Sequence, residues 1–425
     1  MRGNSVVATA RSGSADRVTF VDFVRRFHWR DTPTREDEVI VTDDGRDPVR
    51  VRTFTNEFWT AKQRAAHSLH EVSYRACFKP QLPRFFIEGL THAGDVVYDP
   101  FMGRGTTLIE AALLERVPYG CDVNPLSEIL CAPRLCPPAL ADVERALDAI
   151  EFDDPGDMPE DLLVFYHPDT LRQISSLRKY LQGRAQSGTL TTADRWIWMV
   201  AVNRLTGHSK GFFSVYTLPP NQAVSPQAQA KINARLKQTP ASRDVPSIVL
   251  SKSRSLLNDA TPANRAALRR TANRARLLVG SSSATPEIKN ASIALAVTSP
   301  PFLDVVNYQS DNWLRCWFSG IDAAAVPVTL AKRLDEWKAF VTATLAEVKR
   351  VLVPGGHVAF EVGEVRGGAV RLEESVIPAG MAAGLEPVLV LINAQTFTKT
   401  ANCWGVANNR KGTNTNRVVL FRKPF

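Results

Sequence analysis

Residues 95–122 read Asp95-Val-Val-Tyr-Asp99-Pro100-Phe101-Met-Gly103-Arg-Gly105-Thr106-Thr107-Leu108-Ile-Glu-Ala-Ala-Leu-Leu-Glu-Arg-Val-Pro-Tyr-Gly-Cys-Asp122. A short apolar run ends in an acid, a glycine-rich turn follows, and residues 106–115 carry a helical apolar period. A second strand-like run, 118–121, closes on Asp122. Strand, turn, helix and strand in this order predict the first half of a parallel βαβ unit. The glycines let the backbone approach a ligand closely, and the following helix N-terminus offers unpaired N–H groups. The turn is neither a dinucleotide fingerprint, because Leu108 stands where a third glycine is expected, nor a P-loop, because no Gly-Lys-Ser/Thr follows. Asp122 falls where a carboxylate can accept both hydroxyls of a ribose. It can equally cap the next helix, with Asn124 and Ser127 as competing caps.

Working outward, residues 1–55 are polar, with an acidic patch at 35–44, and read as an arm with a short strand at 38–42. Helical patterns are expected at 56–71 and 82–90. Residues 137–274 interrupt the alternation with helices, including 168–181 and 193–205. The alternation resumes with strands 276–279 and 295–298, helix 335–352, strand 357–362 and helix 373–382. Paired strands at 387–397 and 417–422 close the chain. The expected fold is one doubly wound α/β domain, its first half at 56–136 and its second half at 275–425, interrupted by a helical insert at 137–274.

The 425 residues are 44% apolar and 22% charged, which excludes a largely disordered chain. No apolar run approaches the roughly 18 residues of a membrane span, and residues 6–10 are too short for a signal-peptide core. The six cysteines are scattered without a Cys-x-x-Cys pair, so neither a disulfide framework nor a metal site is expected, and a cytoplasmic setting is. Between residues 231 and 276, eleven basic residues face two acids, an excess equal to the whole formal net charge of +9. Solvated helical faces usually mix both signs, so this stretch points to phosphate contact. Residues 398–417 add Lys399, Arg410, Lys411 and Arg417 without an acid.

The strand at 295–298 runs into Ser299-Pro300-Pro301-Phe302. Two consecutive prolines hold an extended backbone and remove two N–H donors. A hydroxyl, a proline carbonyl and an aromatic ring are thereby presented at the carboxyl edge of a parallel sheet, where α/β folds bind ligands. A hydroxyl and a carbonyl can accept the two hydrogens of an amino group while the ring stacks on a flat base.

Together these residues resemble the amino-group DNA methyltransferases that use S-adenosylmethionine. Asp99-Pro-Phe-Met-Gly-Arg-Gly-Thr-Thr is similar to their cofactor motif, and Thr298-Ser-Pro-Pro-Phe302 to the catalytic motif of the cytosine-N4 branch. Residues 74–83, with Phe78, Lys79 and Pro80, resemble the segment covering the cofactor's methionine end. The resemblance covers about residues 70–135 and 275–425. It implies a Rossmann-like methyltransferase sheet and S-adenosylmethionine held by Phe78, Lys79, Pro80, Asp99, Pro100, Phe101, Gly103, Gly105, Thr106, Thr107, Asp122 and Asn124. Ser299, Pro300, Pro301 and Phe302 would act on a base flipped from double-stranded DNA. With the cofactor motif first, the basic insert takes the place of a target-recognition region. Lys210, Lys231, Arg235, Lys252, Arg254, Arg269 and Arg270 are then candidate DNA contacts, with Lys399, Arg410 and Lys411. A cognate restriction endonuclease is the partner such an enzyme implies. N6-adenine and RNA base methylation are the alternatives on the same fold. Cytosine carbon-5 chemistry is excluded, because Cys136-Pro137-Pro138 reverses the Pro-Cys order and follows no catalytic strand.

Overall fold

The computed structural model describes residues 19–42, 47–59, 66–74, 77–217, 223–301, 308–327, 333–362, 364–365, 370–394 and 415–425. Its centre is a nine-stranded sheet. In chain order the strands are β1 (Arg35–Val41), β2 (Val49–Asn56), β3 (Val96–Asp99), β4 (Val117–Asp122), β5 (Arg276–Val279), β6 (Ile293–Thr298), β7 (Leu352–Val362), β8 (Glu386–Ala394) and β9 (Thr415–Arg422). Across the sheet they run β1-β2-β8-β9-β7-β6-β3-β4-β5. The five strands from β7 to β5 are mutually parallel, and β9 is antiparallel to both its neighbours. The chain builds outward from β3 through β4 to β5, then returns to lay β6 on the other side of β3. That reversal opens a crevice at the carboxyl ends of β3 and β6.

Side chains alternate between two layers with the period of two that a strand imposes. Val97, Leu295, Val297, Ala359, Leu389, Leu391, Val418 and Leu420 face a core shared with α1 (Phe20–Arg26) and α2 (Gln81–Leu90). Tyr98, Ala296, Val358, Phe360, Val390, Val419 and Phe421 face α12 (Leu334–Val351) and α13 (Glu373–Ala382). Between these helices lie α3 (Thr106–Leu113), α4 (Leu126–Leu135), α5 (Leu140–Asp148), α6 (Pro168–Gln186), α7 (Thr192–Val202), α8 (Pro226–Leu236), α9 (Val245–Leu256), α10 (Pro262–Ala272) and α11 (Tyr308–Ser319).

The N-terminal region departs from the expectation of an arm. Residues 35–41 and 49–56 are β1 and β2, and β2 pairs in parallel with β8, so this region widens the main sheet. The helix expected from residue 56 is absent through Trp59; Val49, Val51, Thr53 and Thr55 put β-branched residues where a strand accommodates them. A three-residue 3-10 turn, Ser68–His70, is the only helical piece among the described residues of 56–71. Buried Asn393 extends this edge by accepting the Trp59 N–H (3.2 Å) and donating to its carbonyl (3.3 Å).

The insert lies in the crossover from β4 to β5, and it has no separate core. Ile109, Leu130 and Leu135 of the cofactor half sit in one apolar cluster with Leu171, Trp196, Met199, Val249 and Leu268 of the insert, and with Leu314 and Phe318. Arg265 donates to the carbonyls of Pro137 and Pro138 (2.6 and 3.1 Å), and Arg270 pairs with Glu115. Arg270 fastens the insert to the sheet domain, and Arg265 ties the end of the insert to its own start. Among the described residues no helix is long and apolar enough to cross a membrane, and no cluster of three or more His, Cys, Asp or Glu could hold a metal ion.

Candidate active site

The turn after β3 is held from both sides. Gly105 adopts φ +74° as the cap of α3, and Gly103 adopts φ +47°. Asp122, at the end of β4, accepts the Gly103 N–H and the Asn124 N–H, each at 2.9 Å. Asn124 in turn accepts the Leu126 N–H (3.0 Å) and caps the start of α4. One carboxylate thus fixes the glycine turn and the next loop together. A Cβ on Gly105 would lie 2.3 Å from Cys131 Sγ in a backbone region that disfavours side chains. Gly105→Ala is therefore expected to lower stability by at least about 1 kcal/mol from the left-handed conformation alone. Adding Cys131→Ala should recover only the steric part. An unchanged denaturant midpoint for Gly105→Ala would contradict this.

Asp99 joins the two motifs. Its Oδ1 accepts the Thr298 hydroxyl at 2.6 Å and the Phe101 N–H at 3.1 Å. Thr107 donates to the Val297 carbonyl at 3.1 Å, a second clasp between the turn helix and β6. Burial, with a smaller contribution from nearby Asp122, pushes the Asp99 carboxyl up to about 7 against these stabilising bonds. Burial also raises Asp122, although two N–H groups favour its charged form.

A cavity of about 620 Å³ opens where the crevice was expected. That is the size of a pocket for a nucleoside-sized molecule. Phe78, Asp99, Pro100, Phe101, Gly103, Thr106, Asp122 and Asn124 line it together with Ser299 and Pro301. Gly105 and Thr107 serve the turn from behind, while Pro80 caps α2. Lys79 does not border the cavity, and burial lowers its pKa. Phe302 and the side chain of Tyr308 lie outside the described residues.

The Ser-Pro-Pro segment is oriented from two directions. The Trp337 indole N–H donates to the Pro301 carbonyl at 2.9 Å, so that oxygen is engaged by α12. Behind Ser299 stands Glu361 on β7, 6% exposed, whose carboxyl hydrogen-bonds the Ser299 hydroxyl and accepts the Asn416 amide at 3.0 Å. Burial pushes Glu361 above the ordinary carboxylate range, partly opposed by these two bonds. A serine hydroxyl has one hydrogen and two lone pairs. With the hydrogen donated to Glu361, the oxygen is left as an acceptor.

Residues 28–128 match the model of a DNA methylase family, the N6/N4 methyltransferases. The type II methyltransferase M.MvaI of Kocuria varians is 32% identical over 107 residues, 24% of this chain and 22% of that protein. M.BsoBI of Geobacillus stearothermophilus, also a type II methyltransferase, is 30% identical over 152 residues, 30% of each. Over these segments the chain is similar to the amino-group DNA methyltransferases. It covers less than a third of the length of either relative. Among solved structures, TrmN of Thermus thermophilus aligns over 84% of this chain and 51% of its own, at 11% identity and TM-score 0.32.

The site includes groups that the motifs did not flag. Glu361 is one: a single acid within the apolar run His357-Val-Ala-Phe-Glu361-Val gives no periodic signal. Gly280, Ser281 and Ser282 after β5, Asp322, Val326 and Pro327 beyond α11, and Phe340 of α12 add to the wall, with the Phe340 ring centre 5.5 Å from that of Phe101. Trp313 packs into the insert, its indole on the Ala223 carbonyl at 2.9 Å and its ring beside Phe165, away from the cavity. Of the basic candidates, Lys210, Lys231, Arg235, Arg254 and Arg269 are exposed, whereas Arg270 is paired and Lys252 meets Glu71 at 3.1 Å. Lys399, Arg410 and Lys411 lie outside the described residues.

Proposed function

We propose that this protein transfers a methyl group from S-adenosylmethionine to the exocyclic N4 amine of a cytosine flipped out of duplex DNA, with residues 137–274 acting as the target-recognition region. The observation that carries this reading is Ser299, at the cavity wall with its hydrogen committed to Glu361 and its oxygen left to accept. The donor set suits the cofactor. Asp122 has lone pairs beyond its two backbone bonds for a ribose diol, and Phe101 and Phe340 offer apolar walls to a flat base. Bound there, the sulfonium supplies an electrophilic methyl group.

The amine lone pair of cytosine is delocalised into the ring, so the enzyme must localise it. Ser299 Oγ and the Pro300 carbonyl accept the two amine hydrogens and aim the lone pair along the line of displacement, by positioning and fixed dipoles. The nitrogen–carbon bond forms as the sulfur–carbon bond breaks, leaving an N-methyl ammonium on the base. One proton then passes to Ser299 Oγ as the serine's own proton moves to Glu361, whose raised pKa suits it to receive it. Extrusion of the base is required because a stacked amine cannot reach such a wall.

The test is incubation with duplex DNA and methyl-labelled S-adenosylmethionine, followed by nucleoside mass spectrometry. N4-methylcytosine is expected. N6-methyladenine would move the target to adenine, modified RNA alone would change the polymer, and no methylated nucleoside would refute the reading.

A further inference from the structure

Among the described residues that border the cavity, one is a lysine or arginine, and the reaction above gives it no part. Arg104 stands between the two glycines of the turn, is 6% exposed, and borders the cavity with Tyr74, Cys77 and Phe78. Its backbone is fixed from behind by buried Arg134 of α4, which donates to the Arg104 carbonyl and, at 3.1 Å, to that of Leu69. Arg104 itself donates through Nη1 to the carbonyls of His70 (3.0 Å) and Val72 (2.7 Å), and through Nε to the Thr106 hydroxyl (3.2 Å). These bonds clamp residues 69–72 to the turn and bring Tyr74 against it. A Cβ on Gly103 would lie 3.5 Å from the Tyr74 ring.

The clamp uses two of the three guanidinium nitrogens. Nη2 has no hydrogen-bond partner among the described residues, and among them Arg104 forms no ion pair. Glu110, the buried acid of α3, is held by His70 at 2.7 Å and Arg84 at 2.8 Å. Asp99 and Asp122 border the same cavity, but their hydrogen bonds run to Thr298, Phe101, Gly103 and Asn124. Carbonyls and a hydroxyl satisfy N–H groups without supplying a counter-charge. A cation withdrawn from water is costly unless an anion meets it. The start of α3 favours an anion on the same side. Gly105 caps it without a side chain, and Thr106, its first residue, borders the cavity, so unpaired N–H groups and the helix dipole point there.

We infer that Arg104 is the seat of the amino-acid carboxylate of S-adenosylmethionine, received through Nη2 on the side of the cavity bounded by Tyr74, Cys77 and Phe78. The planar fork of a guanidinium matches a carboxylate in geometry as well as in charge. Lys79, the basic residue of the neighbouring segment, does not border the cavity and leaves this place to Arg104. The inference rests on the cofactor of the proposed reaction and holds whichever base is methylated.

The test sets two proteins against two ligands. Parent and Arg104→Gln are titrated calorimetrically with S-adenosylmethionine and with its decarboxylated form, which keeps the sulfonium, ribose and ammonium and lacks only the carboxylate. The parent should bind the intact cofactor about 30-fold more tightly than the decarboxylated one, the range of a charge-assisted hydrogen bond. Arg104→Gln should lose about 30-fold for the intact cofactor and little for the decarboxylated form, so the ratio falls to about 1. Arg104→Lys, which keeps the charge without the fork, should fall between. Loss of the clamp alone would weaken both ligands alike and leave the parent ratio in place; that outcome overturns the seat. If Arg104→Gln fails to fold, the parent still decides, because equal affinity for the two ligands overturns the seat without any variant. A parent that binds neither ligand removes the methyl-transfer reading and the seat together, whereas cofactor binding with an unmoved ratio removes the seat alone.

Discussion

Ser299→Ala is expected to lower kcat for methyl transfer by about 10²–10³-fold, the usual cost of deleting one preorganised hydrogen-bonding group at a reacting centre. Cofactor affinity should be unchanged, because Asp122, Phe101 and the glycine turn are not touched. The duplex KM should move little, since the serine meets only the extruded amine. Alanine removes the acceptor and also takes the Ser299 hydroxyl from buried Glu361, which keeps the Asn416 amide. Glu361→Gln separates these effects. Glutamine keeps the shape but cannot take up the proton relayed through Ser299, so kcat should fall while folding is retained. The acid limb of the kcat–pH profile, set in the parent by the raised pKa of Glu361, should disappear in this variant. Normal turnover by Ser299→Ala would remove its assigned role, and an unaltered acid limb in Glu361→Gln would remove the relay.

The second large effect concerns Asp99. Its carboxyl sits at about 7 in the folded protein against an ordinary 3.8, so the folded state holds this proton more tightly than the unfolded chain. The stabilisation from that proton is complete below about pH 4 and is lost as pH rises toward and through 7. Asp99→Asn carries no titration and keeps an oxygen able to accept from Thr298 and Phe101. Relative to the parent it should gain about 2–3 kcal/mol between pH 5 and pH 8, an order-of-magnitude figure from the size of the shift. Urea titrations at the two pH values measure it; equal parent–variant differences at both would refute it. A cationic ligand near Asp99 favours the ionised form, so cofactor affinity of the parent should fall as pH drops below about 7. That pH dependence should be absent in Asp99→Asn.

Much of the fold was legible because its signals are local. The turn Gly103-Arg-Gly105 between an apolar run and a helical period marks a βα junction wherever it occurs. The prolines after Thr298 end a strand whatever surrounds them. Both ends of the antiparallel β8–β9 pair showed in the alternation of their own residues. Of the N-terminal strands, β1 was expected only as a short piece at 38–42 and β2 was missed, for a related reason. Arg35-Glu-Asp-Glu is charged, and only the neighbouring β2, itself paired to β8 more than 300 residues away, turns it into a sheet edge.

Charge was legible in amount but not in place. The excess over residues 231–276 looked like one binding face. In the fold, Arg270 holds the insert to the sheet domain, Arg265 closes on the insert's own start, Lys252 turns toward Glu71, and Lys231, Arg235, Arg254 and Arg269 lie on exposed surfaces of three helices.

The sequence by itself determined the βαβ start, the two motifs, their order and the helical character of the insert, because turn chemistry and apolar period are properties of neighbouring residues. Only the tertiary structure decided that Thr298 closes on Asp99 across 199 positions. It alone set Glu361 behind Ser299 and brought Arg315 of α11 onto the Ser73 carbonyl. Those pairings depend on strand order and on the alternation of faces along each strand. A lone buried acid or arginine carries no periodic mark until the sheet brings its partner alongside.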